Sequence, residues 1–134
     1  MLFVVANLEG GGAEKVLVNL VNGMDKTKFD VTVMTLFDDG VNAKGLNGDV
    51  KYISKRHRFF RGLSYLMKLV PRSLLYEKYV DREDFDVAVA YMQGIPTKVV
   101  WGAKCRKIAW VHGDMSQAGA SAGKPFFNVR SMIR

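Results

Sequence analysis

The sequence predicts a single α/β domain in which a mostly parallel sheet lies between two layers of helices. Three observations lead there. Short runs rich in β-branched and aromatic residues are apolar on both faces, as strands in the middle of a parallel sheet must be. Amphipathic helical stretches separate these runs, the alternation that βαβ units produce. The chain has 134 residues, 49 % hydrophobic and 25 % charged, which suits one domain, residues 1–134, with one core and argues against disorder.

The elements follow in order. Residues 2–6, Leu-Phe-Val-Val-Ala, form the first strand, which stops at Asn7 and the triplet Gly10, Gly11, Gly12. Ala13, Val16, Leu17, Leu20, Val21 and Met24 then recur at helical spacing, with Glu14, Lys15, Asn19 and Asn22 on the opposite side and Gly23 near the end. Residues 29–37 read as the second strand, carried by Val31, Thr32, Val33 and Thr35 and closed by the turn Asp38, Asp39, Gly40. Glycine and asparagine make residues 41–48 a loop, and residues 50–53 a short third strand. Leu63, Leu66, Met67 and Val70 mark one helical face; Pro71 interrupts and opens a second helix through Leu74, Leu75 and Tyr79. Residues 85–91 are the fourth strand, residues 97–103 a short helix, and residues 107–111 the fifth strand, ending at His112, Gly113 and Asp114. A last helix is expected over residues 126–134.

Right-handed crossovers put all the strand-to-helix loops at one edge of such a sheet, with strand order 3-2-1-4-5 expected. This is a Rossmann-like three-layer α/β/α arrangement, and its ligands bind at the carboxyl edge near the switch in strand order. Three polar loops are expected to meet there: residues 7–12, residues 91–96 including Gln93 and Gly94, and residues 112–114.

Charge and cysteine content narrow the setting. The formal charge of +7 points to anionic partners: phosphates, nucleic acid or an acidic membrane surface. Cys105 is the one cysteine, so no internal disulfide forms; a buried structural thiol in a reducing, cytoplasmic setting is the expectation. The apolar start lacks the basic flank of a signal peptide, and no stretch reaches the length of a membrane span. Membrane contact is therefore expected to be peripheral.

The glycine triplet follows a strand and opens a helix, where backbone N–H groups and the helix terminus favour an anion. A tight turn that packs helix on strand is the alternative. The run matches neither G-x-G-x-x-G in any register nor the P-loop pattern, which argues against a dinucleotide cofactor or a P-loop nucleotidase.

Taken together, the motifs resemble the amino-terminal domain of retaining GT-B glycosyltransferases of family four, especially those that build bacterial capsular and other surface polysaccharides. The likeness lies in residues 9–20 around Gly-Gly-Ala-Glu-Lys, in residues 29–33 and 85–91, in residues 94–98, and in Ile108-Ala109-Trp110-Val111-His112-Gly113-Asp114. It implies a nucleotide-sugar donor held mainly by a second domain, no metal and no other cofactor, with Gly11 and Gly12 at the donor phosphates and His112 at the donor sugar. The second domain of the family carries paired glutamates with seven residues between them, and Glu9, Glu14, Glu77 and Glu83 lack that spacing. The expectation is an acceptor-side half, truncated and inactive alone, that acts on a growing glycan or a lipid-linked acceptor. Two other readings stay open: a non-catalytic binding domain, and a sugar-nucleotide epimerase of GT-B shape.

His112 at a strand end suits a sugar hydroxyl or a developing charge; a structural histidine is the alternative. Asp114 either orients His112, contacts an acceptor hydroxyl or caps a loop. Gln93 and Gly94 are candidate acceptor or donor-sugar contacts. His57 and His112, the two histidines, lack ligand-like spacing to Cys105, so no metal site is expected. Trp101 and Trp110 read as core rather than as sugar platforms. Lys55, Arg56, Arg58 and Arg61, with Phe59 and Phe60, form a basic aromatic stretch fit for an anionic lipid surface at the inner face of a membrane. Its alternative is a solvated loop whose phenylalanines turn into the core. No basic recognition helix or RNA-binding signature accompanies it, so no nucleic-acid partner is expected.

Overall fold

The computed structural model describes residues 1–38, 40–80 and 84–112. Asp39, Asp114 and the helix expected over residues 126–134 lie outside them. The elements run β1 (Leu2–Val5), α1 (Gly12–Gly23), β2 (Thr32–Thr35), a 3-10 helix (Val41–Gly45), β3 (Lys51–Ser54), α2 (Leu63–Leu69), α3 (Arg72–Val80), β4 (Val87–Tyr91), α4 (Ile95–Val100) and β5 (Arg106–Trp110). The strands form one sheet of order β3-β2-β1-β4-β5 with every pairing parallel. The Rossmann-like order and the parallel pairing are as the sequence predicts.

Alternation along the strands builds two cores. Phe3, Val5, Val33, Val89 and Tyr91 face α1 and pack with Leu8, Leu17, Val18 and Val21. Leu2, Val4, Met34, Ala88 and Ala90 face the other way, onto Met67, Leu75 and Val99 of α2, α3 and α4. Both faces of β1 and β2 are therefore buried along their whole length, which is why these strands read as unbroken apolar runs rather than as alternating ones. Pro71 separates α2 from α3: Val70 before it is extended, the conformation that a following proline imposes.

Several expectations need correction. The buried stripe of α1 is Glu14, Leu17, Val18 and Val21, a spacing of three, four and seven from Glu14; Val16, assigned to the apolar face, is exposed. Residues 41–48 are not wholly irregular, because Leu46 N–H donates to the Ala43 carbonyl and closes the 3-10 turn. The second strand is shorter than residues 29–37, since the Lys28 and Phe29 amides turn back to the Asp25 carbonyl. Among the described residues no helix covers β5: α4 lies over β4 and β1, and all five residues of β5 are exposed. Trp110 is accordingly no core residue, with 41 % of its surface exposed, and Trp101 is half-buried. Cys105 is half-buried at a surface cavity that Tyr76, Phe85 and Lys104 also line.

Candidate functional site

Because every pairing is parallel, the loops after the five strands leave the sheet at one edge. There, between β1 and β4, where the strand order reverses, a crevice of about 480 Å³ opens, lined by Asn7, Glu9, Asp38, His57, Phe59 and Gln93 among others. A switch-point crevice at the carboxyl edge is the place where open α/β sheets receive ligands.

The glycine bend is held on one side of this crevice. Gly11 N–H donates to the Glu9 carbonyl at 2.8 Å, and Asn42 N–H donates to the Leu8 carbonyl at 2.9 Å. The Asn42 side-chain amide donates to the Glu9 carbonyl as well. Gly40 makes this docking possible: its φ is +70°, and a Cβ there would overlap the Leu8–Glu9 backbone. The loop after β2 thus clamps the loop after β1.

Gly11 caps α1 with an ordinary extended backbone, φ −76° and ψ 157°. The Glu14 carboxylate folds back into the space that a Cβ of Gly11 would take, so a larger residue here has to displace the end of that side chain. A carboxylate in the first turn complements the partial positive charge of the helix terminus. Glu14 is also 91 % buried, being 9 % exposed, although its place in the helical pattern had assigned it to the solvent side. Around Gly10 and Gly12 the corresponding space is open.

Tyr91, the last residue of β4, packs against the end of β5. It is fully buried, and among the described residues its hydroxyl has no hydrogen-bond partner. Burial, and then the charge of Glu14, push the phenol above the usual tyrosine range. Its ring lies 4.4 Å from that of His112 and 5.3 Å from that of Trp110. Trp110 and His112 are stacked nearly parallel, 6.1 Å apart with 7° between their planes, and both are exposed. Gly11 and His112, about a hundred residues apart in sequence, thus end at the same edge of the sheet, Gly11 against Glu14 and His112 against Tyr91.

The chain beyond Tyr91 is sharply bent. Met92 has a φ of +103° and Gly94 a φ of +102°. For a methionine this is a conformation that surrounding structure must enforce. Met92 N–H donates to the Trp110 carbonyl at 3.1 Å, and Thr97 Oγ1 donates to the Met92 carbonyl at 3.2 Å. The bend delivers Gln93, exposed, to the crevice, while Gly94 serves the turn and does not line the cavity.

The basic stretch divides in two. Phe59 lines the crevice and meets Phe37 edge-on at 5.4 Å. Phe59 and Phe60 are 62 % and 45 % exposed, so neither turns into the core. Arg56, Arg58 and Arg61 are exposed and Lys55 half-buried; Arg56 takes a left-handed φ of +47°. His57 sits below them against the Tyr79 ring at 4.5 Å. Among the described residues, no group of three or more His, Cys, Asp or Glu is arranged to hold a metal ion, and no helix is long and apolar enough to cross a membrane.

Of the predicted site residues, Gly11, Gly12, Gln93 and His112 lie at the same edge of the sheet. Glu14 and Tyr91 were missed as site residues. The signal for Glu14 was present: it begins the i, i+3, i+4, i+7 stripe completed by Leu17, Val18 and Val21. Compared with family models, with curated proteins and with solved structures, the chain matches none.

Proposed function

We propose that this domain is the acceptor-side half of a GT-B-type glycosyltransferase, which moves a sugar from a nucleotide-sugar donor to a growing surface glycan or a lipid-linked acceptor. The observation that carries the reading is that the glycine bend, packed against Glu14, and His112, packed against Tyr91, end at the same carboxyl edge of the sheet as the switch-point crevice. The resemblance of the motifs to family-four enzymes supplies the reaction class.

The side chains suit a carbohydrate. The exposed Trp110–His112 pair offers a flat aromatic face, on which the apolar C–H face of a sugar ring can rest, as amphipathic surfaces do on aromatic side chains. Glu14 is an acceptor for hydroxyl protons, and its negative charge opposes a phosphate beside Gly11. The donor phosphates are better matched to Gly12, at the first turn of α1, where space is open and the helix terminus favours an anion. His112 in this reading contacts the donor sugar. Lys55, Arg56, Arg58 and Arg61, with exposed Phe59 and Phe60, bring the domain to an anionic membrane where a lipid-linked acceptor resides.

The test is sugar transfer from a panel of nucleotide sugars by the protein that carries this domain, with His112→Ala beside it. A proton-transferring or hydrogen-bonding histidine at the reacting sugar contributes on the order of a hundredfold or more to turnover, and the variant is expected to lose that much. Unchanged turnover removes His112 from the site. Binding of nucleotide sugars without any transfer assigns the domain to binding alone.

A further inference from the structure

The helical layer opposite α1 carries a second cavity, which shares no lining residue with the crevice at the sheet edge. It has a volume of about 590 Å³ where the end of α2, the turn at Pro71, the start of α3 and the middle and end of α4 meet. Lys68, Arg72 and Lys98 line it, together with apolar groups that include Met67, Leu69 and Trp101; among the described residues no carboxylate does. Lys98 is half-buried there. Burial, and then the charge of Lys68, hold its ammonium below the usual lysine range. An anion entering the cavity favours the charged ammonium and opposes this lowering.

The outer side of α2, whose end lines the cavity, has a different character. The buried face of α2 is Leu63 and Met67, yet Tyr65, Leu66 and Leu69 point outward and are 63 %, 53 % and 82 % exposed. Leu74 of α3 is 53 % exposed. A helix at a water-facing surface has no use for apolar side chains on its outer side; a helix lying in a bilayer interface does. Lys68 lies over the Tyr65 ring, 5.0 Å from its centre, pairing a cation with an amphipathic ring, two residue types that suit a membrane boundary. Positive charge inside the cavity and exposed apolar side chains on the helix beside it, with Leu69 belonging to both, match a ligand with an anionic head on an apolar body.

We propose that the cleft between α2, α3 and α4 seats the phosphate headgroup of an anionic phospholipid while Tyr65, Leu66 and Leu69 enter the bilayer interface. This adds a specific headgroup seat to the membrane contact proposed for residues 55–61, and rests on that reading for the side of the domain that faces the lipid. It is independent of sugar transfer.

The test is flotation of the chain with vesicles of phosphatidylcholine, and with vesicles of phosphatidylcholine and phosphatidylglycerol in equal parts. The chain is expected to float with the anionic vesicles. Each cation near such a surface is worth about fivefold in partitioning, so Lys68→Gln/Lys98→Gln is expected to weaken binding roughly twenty-five-fold. Leu69→Ser is expected to weaken it as well. Lys15→Gln/Lys28→Gln, the same charge change on the α1 side, is expected to bind as the unaltered chain does, and circular dichroism checks that each variant is folded. Equal losses in the two double variants overturn the seat in favour of general electrostatics. Full binding by Lys68→Gln/Lys98→Gln, with loss in Arg58→Gln/Arg61→Gln, overturns the seat and keeps the loop contact. No flotation by the unaltered chain overturns both. Saturable binding of inorganic phosphate without vesicle binding overturns the lipid assignment.

Discussion

Replacing Tyr91 with phenylalanine is expected to make the domain more stable and its site worse. The ring stays, with its packing in the α1-side core and its contacts to Trp110 and His112. The oxygen that leaves is buried and makes no hydrogen bond with the described residues. A buried polar group without a partner costs about 1–3 kcal/mol, so its removal is expected to return about 1 kcal/mol. Unfolding entropy near the midpoint is about 2.1 cal/mol/K per residue. For 134 residues, about 1 kcal/mol then moves the melting midpoint upward by roughly 3–4 °C. Differential scanning calorimetry of the two chains reads this directly. The same change removes a polar group from beside the ring contact with His112, so affinity for a carbohydrate ligand is expected to fall while stability rises, the trade expected where a binding site stores unfavourable energy. A midpoint lowered by a degree or more would refute the reasoning, because it would mean that the hydroxyl is bonded in the folded state.

Three glycines separate backbone constraint from side-chain constraint. Gly40→Ala requires a left-handed residue with its Cβ in the Leu8–Glu9 backbone, and a loss of about 2 kcal/mol or more in urea unfolding is expected. Gly102→Ala drives its Cβ into the Arg72 carbonyl, with about 1–3 kcal/mol expected for overpacking. Gly11→Ala displaces only the flexible Glu14 carboxylate and is expected to stay within about 0.5 kcal/mol of the unaltered chain, yet to weaken ligand binding; equal losses at Gly11 and Gly40 would contradict the distinction. Burial raises both Tyr79 and Tyr91 above the ordinary 10.0. The unfolded chain then ionises first, so the stability these phenols contribute is intact below pH 10.0 and lost as pH rises through their folded values. Tyr79→Phe/Tyr91→Phe is expected to flatten that alkaline loss in a pH series of thermal melts.

The strand order was legible because it follows from local pattern and handedness. Runs such as Leu-Phe-Val-Val are apolar on both faces, helices separate them, and right-handed crossovers leave few ways to wind the sheet. Pro71 announced the break between α2 and α3 for the same kind of reason, a missing N–H and a restricted neighbour. What escaped the pattern depends on which element covers which. Trp110 and Ile108 look like core residues of a strand, but α4 packs over β4 and β1, and no helix among the described residues covers β5. Glu14 looks solvent-facing by charge, and its burial follows from the direction of α1 on the sheet and from the absence of a side chain at Gly11. Phe59 and Phe60 read equally as core or as surface, and only the path of the chain after β3 decides for the surface. Tyr91 was read as the end of a strand, and its contact with His112 depends on the parallel register that sets it opposite Trp110.

Titration of the isotopically labelled chain with nucleotide sugars and with oligosaccharides, followed by NMR at Gly10, Gly11, Gly12, Gln93 and His112, bears most directly on whether these stretches form one site. A single site predicts that the glycine bend and His112 respond to the same ligand with one common dissociation constant, and that Glu14→Gln weakens both responses together. Shifts with different midpoints in the two stretches, or a response in one and silence in the other, would contradict it.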